Sequence, residues 1–364
     1  MKKFLSGVAL FLVPILLVLS VFGVVLYQSG EWHTEEEVAQ LAAQGEPSLF
    51  GLAYRDNRSY YKHLVAEQKA ADLLILGTSR SMQFHSEFFT EPSFYNAGGG
   101  ANQPHEYRFF LENLSEESLP KTLILVFDQY FFQQGWSEPG LAQPLSYDHY
   151  EFQAMDAFRR VMKDWADGKY NLWHALNPPE HVYGMAAVGR GSGFASDGSY
   201  NYGSLLDHPE RGTDVGFHDS FDRILKSGTR FEWAEDVYQP SLDEFDRLLA
   251  FCKEKKIQVV GIIPPYAPSV YLRMQESGHY GYLNKIAEEM RPRMEAYGFE
   301  LFEFTYMPDT QDAEYIDGYH GGDRVYARLT LELAKQSNIL AGMIDTEYLH
   351  RALENGENPL RLGA

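Results

Sequence analysis

The chain has 364 residues, of which 45% are hydrophobic, and its formal net charge at pH 7 is −20. This length and apolar content allow one or two domains with a large core. The acidic balance excludes a nucleic-acid surface, which needs clustered Lys and Arg, and it favours a neutral glycan or a lipid-linked acyl donor over a polyanionic substrate.

An uncharged apolar run from Phe4 to Tyr27 opens the chain after two lysines. A helix of this length spans a hydrocarbon core of about 30 Å. A cleaved signal peptide is the alternative, but residues 25–28 lack the small-x-small pattern of a cleavage site. We therefore expect a signal anchor over residues 1–27 that contacts the lipid bilayer through residues 4–27. Lysines before the run and glutamates after it predict a single-pass protein of the bacterial cytoplasmic membrane, with its domain facing the periplasm.

Apolar strand-like runs alternate with amphipathic helical stretches over most of the remaining chain. The predicted strands are 72–76, 122–127, 258–263 and 300–304. The predicted helices are 106–114, 242–255, 282–297, 324–336 and 346–354, and the second opens with a capping-box pattern, Ser241 to Glu244. Together these elements predict an α/β three-layer sandwich with a mostly parallel sheet. The expected domains are a stalk and domain entry (28–70), a catalytic domain (71–345) and a tail (346–364).

The α/β alternation breaks between Gln133 and Gln239, which is far longer than an ordinary connection. We predict a large insertion after the third strand, over residues 133–239. Its Gly- and Ser-rich stretch, 189–204, fits either a sugar-binding loop or an irregular connection. Tryptophans in the same region fit either a small core or a binding platform.

Two short motifs lie at opposite ends of this pattern. The first predicted strand runs into Gly77-Thr-Ser-Arg-Ser81, which places the hydroxyl of Ser79 at the carboxyl edge of a parallel sheet, where open α/β sheets bind ligands. Asp317 precedes His320 by three residues, so its carboxylate can orient the imidazole. Alone, the first motif is also typical of a tight turn and the second of a helix N-cap. Together they predict a catalytic triad of Ser79, His320 and Asp317.

The order of these motifs resembles that of the SGNH hydrolase superfamily. In that family a nucleophile follows the first strand, an Asn-x-Gly turn follows the second, and Asp-x-x-His precedes the last helix. Here Ser79, the pair Asn96 and Gly98, and the pair Asp317 and His320 match these positions. The resemblance covers roughly residues 50–340 and is strongest to the membrane-anchored branch of alginate O-acetyltransferase-like and teichoic-acid D-alanyl transfer proteins. It implies an SGNH/flavodoxin-like fold.

The resemblance also implies an oxyanion hole. Many relatives carry an Asn donor after the third strand, whereas this chain has Asp128, and an ionised Asp only accepts hydrogen bonds. We therefore expect the backbone N–H groups of Ser79 and Gly98 to bind the oxyanion, helped by Gln129 or Asn102. The candidate oxyanion and substrate-binding residues are Gly98, Asn96, Gln129, Asp128 and Arg80.

The activity implied by the resemblance is serine-dependent acyl-ester chemistry without a bound cofactor. It would transfer an O-acyl group, chiefly acetyl, to a cell-surface polysaccharide, with a multi-span membrane-bound O-acyltransferase as a possible partner. An esterase that removes acyl groups is one alternative. Another is a catalytically silent glycan-binding scaffold of an export or modification complex, and Asp128 favours this reading. No metal site is expected, because the histidines show no metal-ligand spacing.

Overall fold

The computed structural model describes residues 1–44, 48–55, 57–147 and 153–363. The helices of these residues are α1 (Lys2–Gln28), α2 (Glu35–Ala43), α3 (Arg58–Lys69), α4 (Pro104–Glu112), α5 (Gln134–Leu141), α6 (Ala154–Ala166), α7 (Leu172–Leu176), α8 (Met185–Arg190), α9 (His218–Lys226), α10 (Gln239–Glu254), α11 (Pro268–Ser277), α12 (Tyr282–Ala296), α13 (Asp323–Gln336) and α14 (Thr346–Asn355). The strands are β1 (Leu49–Phe50), β2 (Leu73–Gly77), β3 (Phe94–Gly98), β4 (Thr122–Val126), β5 (Val182–Tyr183), β6 (Ser192–Ala195), β7 (Tyr200–Tyr202), β8 (Gln258–Ile263) and β9 (Glu300–Glu303).

The chain divides into two compact units, neither of which is continuous in sequence. Unit 1 comprises Met1–Asn57, Asp148–Ser196 and Tyr200–Ser204. Unit 2 comprises Arg58–Tyr147, Asp197–Ser199 and Leu205–Ala364. Residues of the predicted insertion thus occur in both units. The domain boundaries expected from the sequence stay a prediction.

Unit 2 contains a five-stranded sheet of order β3-β2-β4-β8-β9, in which every pairing is parallel. This confirms the predicted α/β fold with a parallel sheet. Every residue of β2, β3 and β4 is buried, as expected for parallel strands covered on both faces. The predicted strands and helices all occur, with ends that differ by at most three residues.

Two local predictions were wrong. The strand β3 was not predicted, because its Asn, Ala and Gly residues have low strand propensity, and Asn96 therefore lies in a strand instead of in a turn after one. The helix α10 begins at Gln239 with a proline in its first turn, so Ser241 lies inside the helix and does not cap it. Proline is favoured at this position because its missing N–H is not needed there.

Unit 1 is built around the carboxyl-terminal end of α1. Its core contains side chains from α1, α6, α7 and α8, together with Tyr54 from the connection after β1: Phe22, Val25, Leu26, Tyr54, Ala157, Val161, Ala175, Met185 and Val188. Just after α1, the buried carboxylate of Glu31 accepts hydrogen bonds from the backbone N–H groups of Ala53, Tyr54 and Met185. Burial raises the pKa of Glu31, although these hydrogen bonds oppose the shift.

A four-stranded sheet of order β5-β1-β6-β7 completes unit 1. Its strands β6 and β7 pair antiparallel, Ser192 opposite Tyr202 and Phe194 opposite Tyr200. The Gly- and Ser-rich stretch is therefore a β-hairpin, and the expectation of an irregular connection was wrong. Phe194 of β6 packs across the pair against Tyr200 of β7, whose ring also contacts Tyr202 of the same strand, and these aromatic residues favour strands here.

The helix α1 has the length and composition of a membrane span. Its segment Phe4–Gln28 has a mean hydropathy of 3.0, and only 11% of the most apolar window is buried within the structure. Among the described residues it is the single helix with these properties. Its apolar surface is thus available to lipid.

Candidate active site

The strand β2 ends in a turn that presents Ser79. After Gly77 the chain forms a short 3₁₀ turn, Ser79–Ser81, capped by Thr78, whose Oγ1 accepts the N–H of Arg80 at 3.2 Å. The hydroxyl of Ser81 folds back and donates to the carbonyl of Thr78 at 2.8 Å. Ser81 and Arg80 are buried, whereas Ser79 is half-buried. The turn therefore presents the hydroxyl of Ser79 at the carboxyl edge of the sheet.

Glycines at the ends of β2 and β3 make room for this turn. Gly77 and Gly98 are register partners, and a Cβ added at either would lie 2.7 Å from Oγ of Ser81. Such a distance is a clash, so any larger residue would displace the turn that carries Ser79.

The three residues of the predicted triad lie within hydrogen-bond distance of one another. Oγ of Ser79 is 2.8 Å from Nε2 of His320, and Nδ1 of His320 is 2.7 Å from Oδ2 of Asp317. The other carboxylate oxygen of Asp317 accepts the backbone N–H groups of Tyr319 at 3.0 Å and His320 at 2.8 Å. The side chains of His320 and Asp317 are 13% and 21% exposed, so the site is accessible from solvent.

The ionisation state of Asp317 determines which nitrogen of His320 carries the proton. Burial acts to raise the pKa of Asp317, but the charge and hydrogen bond of His320 and the two backbone N–H groups outweigh burial and lower it. An ionised carboxylate only accepts hydrogen bonds, so Nδ1 of His320 must carry the proton that points at Asp317. The lone pair of Nε2 is then free to accept the hydroxyl proton of Ser79. This is the arrangement that general-base activation of a serine requires.

A second carboxylate, Asp214, fixes the turn that holds His320. Its Oδ2 accepts the N–H of Gly318 at 3.2 Å and the hydroxyl of Ser220 at 2.6 Å, while its Oδ1 accepts the N–H of Asp219 at 2.8 Å. Asp214 thus joins the beginning of α9 to the turn that follows Asp317. Nothing in the sequence around Asp214 indicated this role.

Arg80, next to Ser79, is fully buried and donates through all three of its nitrogens. Nε donates to the carbonyl of Tyr319 at 2.8 Å, and Nη1 donates to Asp128 at 3.0 Å and to Gln129 at 2.6 Å. Nη2 donates to the carbonyls of Pro264 and Pro265, and the guanidinium lies 4.8 Å from the centre of the Tyr266 ring. Arg80 therefore connects the ends of β2, β4 and β8 to the segment that carries His320.

Arg80, Asp128 and Gln129, which were predicted to contact the oxyanion or the substrate, form hydrogen bonds with one another or with neighbouring groups. Besides Arg80, Asp128 accepts the hydroxyls of Thr78 and Tyr130. The amide nitrogen of Gln129 donates to the carbonyl of Pro264 at 2.6 Å. All three side chains are buried. Asp128 is thus the counter-charge of Arg80, and Gln129 has no amide left for an oxyanion.

The expected oxyanion donor Gly98 is also engaged elsewhere. Its N–H donates to Oδ1 of Asn96 at 2.7 Å, while the amide of Asn96 donates to the carbonyls of Ser81 and Phe84. Asn96 therefore fixes the turn below Ser79 and does not face a substrate. Among the expected backbone donors, the N–H of Ser79 has no acceptor within the described residues. Asn102 is exposed, and its N–H donates to Glu106.

No protein-family model matches this chain, and no curated protein matches it. The SGNH resemblance therefore stays a proposal that depends on the motifs of the sequence.

One group of described residues has the composition of a metal site. Ligand atoms of His85, Glu87 and Asp197 lie within 4.8 Å of one another, and Nε2 of His85 is 3.0 Å from Asp323. Burial acts to lower the pKa of His85, but Asp323, Asp197 and Glu87 outweigh it and raise the pKa to about 9. With no metal bound, the imidazole is therefore protonated at neutral pH and the group is an ion-pair cluster.

Proposed function

We propose that this protein is a serine-dependent acyl-ester enzyme. The observation that carries the proposal is the hydrogen-bonded series from Ser79 through His320 to Asp317, which joins a half-buried hydroxyl to an imidazole of defined tautomer. If Ser79 lay in a purely structural turn and Asp317 were only an N-cap, there would be no reason for the hydroxyl, the imidazole and the carboxylate to be aligned. The partners of Asp128 give a structural reason for an acid at this position, since it is the counter-charge of Arg80.

The chemistry follows from these contacts. Oγ of Ser79 attacks an acyl carbonyl as its proton passes to Nε2 of His320, and the negative charge on the carbonyl oxygen is stabilised by the N–H of Ser79. The C–O bond to the leaving alcohol breaks, and the alcohol takes the proton from the imidazolium. A second hydroxyl then gives its proton to Nε2 and attacks the acyl carbon of the acyl-enzyme. The bond between that carbon and Oγ of Ser79 breaks, and Oγ takes the proton from the imidazolium, which restores Ser79. Asp317 stabilises the imidazolium in both halves.

The cellular setting of the proposal is an extracytoplasmic face of a membrane. The apolar helix α1 supports a single-pass anchor, and the lysines that precede it support a periplasmic domain. The parallel sheet with the nucleophile at the end of β2 supports an SGNH-type three-layer fold with a large insertion after β4. In this setting the acceptor would be a sugar hydroxyl of a cell-surface polysaccharide, and a multi-span O-acyltransferase would supply the acyl group.

Covalent labelling tests the proposal directly. The full-length protein in detergent micelles is treated with a fluorophosphonate, which reacts with activated serines. We expect labelling of the wild type at Ser79, no labelling of Ser79→Ala, and strongly reduced labelling of His320→Ala. Ser81→Ala is the matched control, because Ser81 lies in the same turn but its hydroxyl is buried against the carbonyl of Thr78. Absence of labelling in the folded wild type, or equal labelling of Ser79→Ala, would refute the proposal.

Transfer and hydrolysis are separated by the fate of the acyl group. The protein is incubated with p-nitrophenyl acetate and a neutral oligosaccharide, and the acetylated sugar and free acetate are both measured. Acetylated sugar supports the transferase. Acetate alone, at a rate that the sugar does not change, means that the enzyme is an esterase.

A further inference from the structure

Unit 1 exposes large apolar side chains next to the end of α1. Met155 and Trp173 are 76% and 75% exposed, and Trp165 is 46% exposed. Large apolar side chains that are exposed to this extent suggest an interaction site in a folded protein. The chemistry of the neighbouring residues, and their position along α1, indicate what covers it.

The helix α6 packs against the carboxyl-terminal end of α1. The ring of Trp165 is 5.7 Å from the ring of Phe22, and the ring of Phe158 lies 3.4 Å from the position that a Cβ on Gly23 would take. The Phe158 ring is also 6.4 Å from the ring of Trp32, which follows α1. All these contacts lie at or beyond residue 22.

These contacts occur where an apolar helix would leave the hydrocarbon core. From Phe4 to Gly23 the helix rises about 29 Å, which matches the roughly 30 Å thickness of that core. If α1 spans the membrane, the part of α6 that packs against it lies at the level of the lipid headgroups.

The composition of α6 and α7 is typical of helices at the headgroup level. Apolar side chains recur along α6 at helical spacing: Phe158 and Met162 pack against the core of unit 1, whereas Met155 and Trp165 are exposed. The basic residues Arg159 and Lys163 are exposed and form ion pairs with Asp156 and Asp167. Residues 153–177 carry four Lys or Arg and three Asp or Glu, in a chain whose net charge is −20. Amphipathic helices lie in bilayer interfaces, and tryptophan is enriched at that depth.

We propose that α6 and Trp173 of α7 lie in the headgroup region of the membrane that α1 crosses, with the exposed side chains of Met155, Trp165 and Trp173 inserted among the upper acyl-chain carbons. The proposal rests on the anchor proposed above. In this proposal, the lipid surface itself covers the exposed apolar side chains of α6 and α7. A transmembrane partner protein covering the same residues is the competing occupant, and the experiment below contains lipid only.

The experiment measures lipid contact residue by residue in the full-length protein. Single cysteines are introduced by Met155→Cys, Trp173→Cys and Asp156→Cys, labelled with an environment-sensitive fluorophore, and reconstituted into phosphatidylcholine and phosphatidylglycerol vesicles that contain a lipid with a quencher near the headgroup. Native Cys252 can remain, because it is fully buried and burial raises its thiol pKa to about 12. Asp156→Cys is the matched control, since it neighbours Met155 but points about 100° away around the helix.

We expect quenching at positions 155 and 173 to exceed that at position 156 by about threefold or more. Equal, weak quenching at all three positions would overturn the inference and favour a protein partner for this surface. Val13→Cys, in the middle of α1, separates the two proposals when a quencher deep in the acyl chain is used. If position 13 is quenched and positions 155 and 173 are not, the anchor stands and the inference fails. If position 13 is not quenched, the anchor and the inference both fail.

Discussion

Replacing Arg80 by Met should destabilise unit 2 more than any surface substitution. The guanidinium is fully buried, and it is the cationic partner of the equally buried Asp128. Met fills similar volume but supplies neither charge nor donors. Removing one member of a buried ion pair costs about 3–5 kcal/mol, because the remaining charge is left uncompensated.

The carbonyl groups that Arg80 satisfies add to this cost. Those of Tyr319 and Pro265 lose a charged donor, whereas that of Pro264 retains the amide of Gln129. An unsatisfied buried polar group costs about 1–3 kcal/mol. We therefore expect Arg80→Met to lose about 5 kcal/mol or more, which is comparable to the whole stability of many domains.

Thermal and urea unfolding of the full-length protein in detergent, followed by circular dichroism, measure this loss. The control is Lys226→Met, which removes an exposed ion pair with Asp222 and should change stability by less than about 1 kcal/mol. The double variant Arg80→Met, Asp128→Asn removes the uncompensated charge and should regain part of the loss. A loss below about 1 kcal/mol for Arg80→Met, or a double variant no more stable than the single one, would refute the reasoning.

Three further substitutions test the surroundings of the site and the ion-pair cluster. Asp317→Asn should leave unfolding unchanged and lower turnover of p-nitrophenyl acetate by about 10⁴, since the imidazole loses the partner that selects its tautomer; an undiminished rate would make Asp317 only a turn residue. Asp214→Asn should lower kcat by about tenfold or more with little change in KM, because the turn at Gly318 shifts; a change in KM alone would contradict a positioning role. His85→Gln should be less stable than wild type by at most about 3 kcal/mol, because the folded pKa of His85 lies above its unfolded value. The full difference should be present below about pH 6.5, and it should be lost as pH rises through about 9. A difference that grows above about pH 9 in urea unfolding would contradict the ion-pair assignment of His85.

The triad could be predicted from the sequence because its signals are local. Ser79 follows a continuous apolar strand, and the spacing of Asp317 and His320 fits within one turn. The strands of the sheet were predictable for the same reason, except β3. There the glycine and the asparagine serve the packing of the turn at Ser81, and this tertiary requirement overrides strand propensity.

The network around Arg80 could not be predicted, because its partners are distant in sequence. Asp128 and Tyr319 lie 48 and 239 residues away. An arginine beside a nucleophile is equally compatible with substrate binding, and only the burial of its side chain distinguishes the two roles. The same limitation applies to Asp128, whose position suggested an oxyanion role until its partners were visible.

The discontinuous core of unit 1 has a practical consequence for making shortened forms of this protein. A cut after residue 28, the obvious way to obtain a soluble domain, removes Phe22, Val25 and Leu26 and leaves Val161 and Met185 without their packing partners. A cut at residue 57 also removes β1, which pairs with both β5 and β6. Either shortened chain would expose apolar surface and would be prone to aggregation. A soluble form should instead retain residues 22–28 with apolar surface positions replaced by polar ones, or delete the helical segment 153–190 together with the anchor.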